Sequence, residues 1–354
     1  MTDPEAGVYA ARMTMRAFIT GISGPDLTEA ERAFIRDAKP WGFILFKRNV
    51  QSPAQVTALV QQLRDCAGRS DAPVLIDQEG GRVQRLGPPH WPAYPAGVVF
   101  DRLYDLDSAA GLRAAWLSAR LIADDLSRLG INVDCLPLAD VPVAGADAVI
   151  GDRAYGTVPA KVAAIARAVT EGLEQGGVLP VLKHIPGHGR ATADSHHRLP
   201  TVDTPETELD ATDFAAFRPL ADLPMAMTAH VVFSAIDAAH PATTSATMIQ
   251  RVIRERIGFQ GLLMSDDVSM NALAGTIAER TRAIVAAGCD MVLHCNGKLD
   301  EMQAVAAETP ELAGQALIRA NRALAARKAP QGIDRSAFSA ELDGLINRLG
   351  PASA

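Results

Sequence analysis

Eight short apolar runs, each followed by a polar or one-sided stretch, constrain this chain more than any other feature. They are Ala17–Ile22, Gly42–Phe46, Val74–Asp77, Asn132–Leu138, Val178–His184, Ala226–Val232, Leu262–Ser265 and Met291–His294. Most are apolar throughout rather than alternating, which is the pattern of strands covered on both faces, as in a parallel sheet. Between them the period changes. Leu112, Ala115, Ala119, Ile122 and Leu126 recur at spacings of three and four, as do Val162, Ile165, Val169 and Leu173, and again Ile277, Thr281, Ile284 and Gly288. Such stripes predict helices that bury one face. Strand and helix alternating eight times predict an α/β chain closed into a single (β/α)8 TIM barrel, with a doubly wound open sheet as the alternative that eight units disfavour.

The same reading predicts a single domain over residues 1–354, with the barrel over about 16–300 and a C-terminal helical extension over about 301–349. One further helix is expected over Glu311–Lys328 and a frayed tail over Gly350–Ala354. No linker rich in Pro, Gly or Ser divides the chain. The net charge of -7 comes without any basic run, which argues against nucleic acid and anionic membrane surfaces as partners. The opening MTDPEAGVYAARMTMRAF carries acids where a secretory leader needs positive charge, and no apolar run is long enough to span a bilayer. Cys66, Cys135, Cys289 and Cys295 form no close pair, so reduced, buried thiols and a cytoplasmic location are expected. No strongly apolar exposed stripe calls for an obligate oligomer, and a monomer is the expectation.

A closed barrel carries its active site at the C-terminal ends of its strands. Polar residues cluster at those ends here. Asp77 and Glu79 end the third run, Asp140 follows the fourth, and Lys183 and His184 end the fifth. His230 ends the sixth, Asp266 and Asp267 the seventh, and Asn296 the eighth. Charges beside apolar strands are costly unless paired or solvated in a cleft, so one shared rim is stronger evidence than any single residue. Each also has a plain structural reading: Asp140 or Asp267 can cap a helix, Lys183 can pair with a carboxylate, and His230 can be a hydrogen-bonded structural histidine.

Three segments carry a resemblance. They are Ile76-Asp77-Gln78-Glu79-Gly80-Gly81-Arg82-Val83-Gln84-Arg85; Lys183-His184-Ile185-Pro186-Gly187-His188-Gly189 with Asp194-Ser195-His196 behind it; and Ser265-Asp266-Asp267-Val268-Ser269-Met270. Together they resemble glycoside hydrolase family 3, and within it the single-domain cytoplasmic β-N-acetylglucosaminidases of peptidoglycan recycling. The resemblance runs from about Phe18 to Asn296. Ile185 stands where many relatives have Phe and Val268 where many have Leu, both apolar exchanges. The resemblance implies a retaining exo-β-N-acetylglucosaminidase, with no cofactor or metal, acting on a small saccharide: terminal GlcNAc, preferentially of GlcNAc-1,6-anhydroMurNAc muropeptides. It implies Asp266 as nucleophile, His196 as acid/base partnered by Asp194, and Asp77, Arg85, Arg153, Lys183 and His184 as substrate-binding residues.

The chemistry of these residues fits those roles. A retaining glycosidase needs a nucleophile on one face of the sugar and a proton donor on the other. Asp267 competes with Asp266 for the first role; neighbouring strand residues point to opposite sides, so one of the two is expected to face the site. An imidazole titrates near neutrality and suits the second role, with Asp194 fixing its tautomer across a bent loop. The long loop from about Pro186 to Pro200 is expected to act as a lid that delivers His196. Three other readings remain open at this point. His184, His188, His196, His230 and Asp266 could assemble a metal site, although an early HxH on the first strand is absent. A phosphorolytic enzyme and a non-catalytic sugar-binding barrel are the others.

Overall fold

The computed structural model describes residues 14–350, so the opening segment and the last four residues of the expected tail lie outside the described residues. Eight parallel strands close into a barrel: β1 Arg16–Thr20, β2 Pro40–Leu45, β3 Val74–Ile76, β4 Val133–Asp134, β5 Leu179–Ile185, β6 Met225–Thr228, β7 Leu262–Asp267 and β8 Met291–His294. Each pairs with its neighbours in chain order, and β8 closes on β1 through Phe18↔Val292, Ile19↔Leu293 and Thr20↔His294.

Closure explains the unbroken apolar runs. Successive strand residues point to opposite faces, and here both faces are dry. Ile19, Ile44, Leu75, Val181, Met264 and Leu293 fill the barrel interior, whereas Phe18, Phe43, Val74, Ile76, Leu182 and Val292 pack outward against the helices. The periodic stretches form helices at Ser108–Arg128, Pro159–Gln175 and Ile277–Ala287. Gly288, read as the last residue of a helical stripe, instead caps its helix at φ 104, a left-handed conformation that glycine adopts without strain.

The fourth and sixth strands are shorter than their apolar runs. Pro137 has no N–H to donate, and β4 ends as a regular strand at Asp134, although the Leu136 and Pro137 carbonyls and the Ala139 amide still bond to β5. After β6 the chain leaves the barrel, and Val232–Phe233 pairs instead with Thr201–Val202. At the N-terminal end of the barrel, helix Gly314–Ala325 lies within the expected helical stretch and contributes Ala320 and Ala323 to the inner core. Helix Arg335–Ile346 packs on Ser108–Arg128, where Arg113 of the longer helix meets Glu341. Among the described residues no helix is long and apolar enough to cross a membrane, and the four cysteine thiols are free and buried.

Candidate active site

A cavity of about 610 Å³ opens at the C-terminal ends of the strands. Asp77, Arg85, Arg153, Lys183, His184, Asp194, His196 and Asp266 all line it, although they come from five separate segments of the chain. Two irregularities in the barrel help to gather them. Between β5 and β6 the pairing runs Leu182↔Ala226 and then Ile185↔Thr228; between β8 and β7 it runs Met264↔Met291 and then Asp267↔Leu293. In each case one strand advances by an extra residue, as in a β-bulge, which re-aims side chains at a barrel rim. The consecutive pairs Lys183-His184 and Asp266-Asp267 therefore both face the cavity. This corrects the expectation, drawn from simple alternation, that one of the two aspartates would face away.

On one side of the cavity charges interlock. Lys183 Nζ lies 3.0 Å from Asp77 Oδ1 and 2.7 Å from Glu79 Oε1, and its side chain is 2% exposed. Arg85 donates to Asp77 at 3.0 Å, and Arg153 grips both oxygens of Glu79 at 2.8 Å. Burial alone would push both carboxyls up. Lys183 and Arg85 overcome it at Asp77, and Arg153 and Lys183 at Glu79, so both stay below the ordinary carboxylate range. The same carboxylates hold the Lys183 ammonium above its ordinary value against burial. Two of the three Lys183 protons are committed, leaving one for the cavity. Arg85 also stacks its guanidinium over Phe46, 5.1 Å from the ring centre. Asp134 lies fully buried nearby, takes only the Gln78 amide at 3.0 Å, and burial pushes its carboxyl well up.

The Asp266-Asp267 pair divides its work. Asp267 accepts from the Ser269 amide at 3.0 Å, the Ser269 hydroxyl at 2.6 Å and the Cys295 amide at 3.1 Å, so both its oxygens tie down the rim. Asp266 Oδ1 takes the Asp267 amide at 2.8 Å, and Oδ2 has no protein donor among the described residues. Burial would push the Asp266 carboxyl up. The imidazoles of His230 and His184, the Asp267 amide and, most weakly, His196 outweigh it and hold the group below its ordinary value. An ionised carboxylate with one unengaged oxygen thus faces the cavity. His230 Nε2 lies 3.0 Å from the Asp267 carbonyl oxygen, which only accepts, so that nitrogen carries a proton and fastens the irregular end of β7.

The histidine-rich segment rests on Asp140, which is fully buried. Its carboxylate accepts from His184 Nδ1 at 2.8 Å and from the His188 amide at 2.6 Å. Burial would push Asp140 up, but His184 above all pulls it below its ordinary range. His184 Nε2 is left for the cavity. Farther along, Asp194 Oδ1 accepts from both the His196 amide at 2.8 Å and His196 Nδ1 at 2.7 Å. A tight turn thus achieves the convergence of residues two apart that a regular helix forbids. His196 is 61% exposed and Asp194 27%, which places the pair at the cavity's open rim. The loop itself depends on glycine: Gly187 sits at φ 138, and a Cβ at Gly189 would lie 2.2 Å from the Val141 carbonyl.

Several lining residues were not assigned a role from the sequence, although Arg82 and Met270 fall within the segments that carry the resemblance. Phe46, Met227, Met270 and Val149 supply apolar walls, and Arg82 braces the 147–153 loop through Asp152 and the Ala148 carbonyl. An apolar side chain at a strand end reads as core. Among the described residues no three His, Cys, Asp or Glu side chains are arranged to hold a metal ion. The histidines that might have formed such a cluster are dispersed among separate partners: Asp140, Ser195, Asp194 and the Asp267 carbonyl.

Known proteins are similar to this chain in sequence and fold. The glycosyl hydrolase family 3 N-terminal domain matches residues 11–322. A beta-hexosaminidase of Methylococcus capsulatus is 40% identical over 277 residues, covering 77% of this chain and 80% of that protein. One from Bordetella avium is 37% identical over 281 residues, covering 78% and 79%. The crystal structure of NagZ from Neisseria gonorrhoeae in complex with N-trifluoroacetyl-D-glucosamine superposes with a TM-score of 0.84 at 32% identity, over 96% of this chain and 99% of that one. With its closed barrel and this match over most of its length, the chain belongs to glycosyl hydrolase family 3.

Proposed function

We propose that the protein is a retaining exo-β-N-acetylglucosaminidase that removes terminal GlcNAc, with Asp266 as nucleophile and the Asp194-His196 pair as acid/base. The observation that carries this reading is the ionised Asp266 carboxylate, one oxygen unengaged, in the same cavity as an imidazole whose Nδ1 is bound to a carboxylate. In the first step Asp266 Oδ2 attacks the anomeric carbon while His196 Nε2 gives its proton to the departing oxygen, forming a glycosyl ester. In the second, the now neutral His196 takes a proton from water, which attacks the anomeric carbon, breaks its bond to Asp266 Oδ2 and frees the carboxylate. Asp194 fixes the tautomer and stabilises the imidazolium. Elimination supports the same assignment: Asp77 and Glu79 are held ionised by three cations and have no proton to give near neutrality.

Lys183, His184, Arg85, Arg153 and Asp77 form the sugar-binding wall, their geometry fixed in advance by the ion-pair lattice and by Asp140. We extend the reading to GlcNAc-1,6-anhydroMurNAc muropeptides as substrate, to a cytoplasmic monomer, and to the barrel with its helical extension acting as one domain. The similarity to NagZ in complex with N-trifluoroacetyl-D-glucosamine supports an N-acylated sugar as the substrate's terminal unit, and the four free buried thiols support the location.

The test is hydrolysis of aryl N-acetylglucosaminides and aryl glucosides, with and without phosphate. The N-acetyl substrates are expected to turn over to free GlcNAc with or without phosphate, and a sugar phosphate as product would overturn hydrolysis. A fluorinated slow substrate is expected to label Asp266, and labelling of Asp267 would overturn the nucleophile.

A further inference from the structure

The dyad segment hangs on a single tether. From Thr192 to Leu199, one hydrogen bond among the described residues links the segment to anything outside it: Ser195 Oγ to His188 Nε2, at 2.9 Å. The remaining hydrogen bonds of the segment are internal, as in His197 N and Arg198 N to the Asp194 carbonyl. Before Thr192 the loop is well fastened. The Gly189 and Ala191 carbonyls accept from Val143 and Asp147, and Arg190 binds Asp213 at 2.6 Å. After Leu199 the Pro200 carbonyl accepts from Val232.

Ser195 sits between the two residues of the dyad, yet it alone of the three turns inward. It is 2% exposed, between Asp194 and His196 at the open rim. Its partner is equally buried, and burial pushes the His188 imidazole down to about 4, so the ring is neutral near neutral pH. His188 Nδ1 has no partner, which leaves Ser195 as the one hydrogen bond of that ring. The His188 amide is bound to Asp140, the carboxylate that also orients His184. A continuous path therefore runs from the sugar-facing His184 through Asp140, His188 and Ser195 to the dyad.

We propose that Ser195, held by His188, is a positioning residue of the acid/base: its hydrogen bond keeps the Asp194-His196 pair over the cavity without touching the reacting atoms. The proposal rests on the assignment of that pair above. Proton donation matters most when the leaving group is poor. Losing the tether therefore lowers catalysis selectively and loosens the segment.

The experiment uses the full chain and the variants Ser195→Ala, His188→Leu, their double variant and His196→Ala. Amide hydrogen exchange over residues 192–199 is followed alongside kcat/KM for aryl N-acetylglucosaminides of graded leaving-group acidity. Both single variants are expected to speed exchange in this segment by about fivefold, the factor that a single net hydrogen bond supplies. They are expected to lose about tenfold on the poorest leaving group and under twofold on the best. The double variant is expected to match the singles, because both remove the same bond. Unchanged exchange in Ser195→Ala overturns the proposal whatever the kinetics. A leaving-group-dependent His196→Ala beside a uniform loss in Ser195→Ala overturns the positioning role alone. A His196→Ala loss that ignores the leaving group overturns the acid assignment, and the positioning role with it.

Discussion

Replacing Lys183 with Met tests whether the ion-pair lattice is a structural element of the site. Met keeps the length and apolar stem of the side chain but removes the ammonium that lies 3.0 Å from Asp77 and 2.7 Å from Glu79. Breaking a buried pair on one side leaves uncompensated charge and costs about 3–5 kcal/mol. For a chain of this length that lowers the midpoint of thermal unfolding by about 4–7 °C. The pH dependence makes the prediction specific. In the native protein Asp77 and Glu79 are held below their unfolded values, so the stability they contribute is present above about pH 4 and is lost as pH falls toward their folded values. Lys183 is held above its unfolded value, so its contribution is present at neutral pH and lost only in strong alkali. In the variant, burial is opposed by one arginine per carboxylate instead of a shared third cation, and the carboxyls titrate upward. Acidification from pH 7 to pH 5 then neutralises charge that the variant folds poorly with, and the gap to the native protein narrows. Unfolding midpoints at pH 5, 6 and 7, with activity measured on the same samples, provide the assay. A cost below about 1 kcal/mol, or a gap that widens on acidification, would refute the lattice as described.

Two further substitutions probe the supports of the site. Asp140→Asn deprives the His184 ring and the His188 amide of a charged acceptor; it is expected to lower stability by about 2–3 kcal/mol and kcat by about 10–100-fold. Because Asp140 is held below its ordinary value, its contribution is present above about pH 4 and is lost as pH falls toward the folded value, so denaturant midpoints should differ more at about pH 5 than at about pH 3. Gly189→Ala places a Cβ 2.2 Å from the Val141 carbonyl, a backbone group that cannot swing aside. A loss of about 1–3 kcal/mol is expected in unfolding, with kcat falling more than KM rises because the loop carrying His196 must shift.

The barrel was legible because closure demands the pattern found. Phe18 and Ile19 are both apolar, one facing the helices and the other the barrel interior, so a continuous run signals two dry faces. The strand boundaries were less legible where one residue lacks a donor, as Pro137 does beyond β4. The site was legible as a set of polar residues following apolar runs, and the assignment within that set came from motif resemblance rather than geometry. Partnership was hidden, because Lys183 and Asp77 are 106 residues apart and no local spacing announces that they meet. Arg153, expected to bind substrate, has most of its donor fork occupied by Glu79.

The two aspartates show most plainly what periodicity omits. Strict alternation assigns one to the cavity and one to the outer face, but the extra residue in β7 brings both inward. Their roles then separate by hydrogen-bond count rather than by direction. Asp267 is spent on Ser269 and Cys295, and Asp266 keeps one oxygen unengaged. The equivalent irregularity in β5 places Lys183 in the lattice and His184 beside it on Asp140. A barrel that kept perfect register at these two strands would present half as many of these side chains to the same cavity. The departures from regular pairing are thus part of how this chain builds a site with both a nucleophile and a preorganised binding wall.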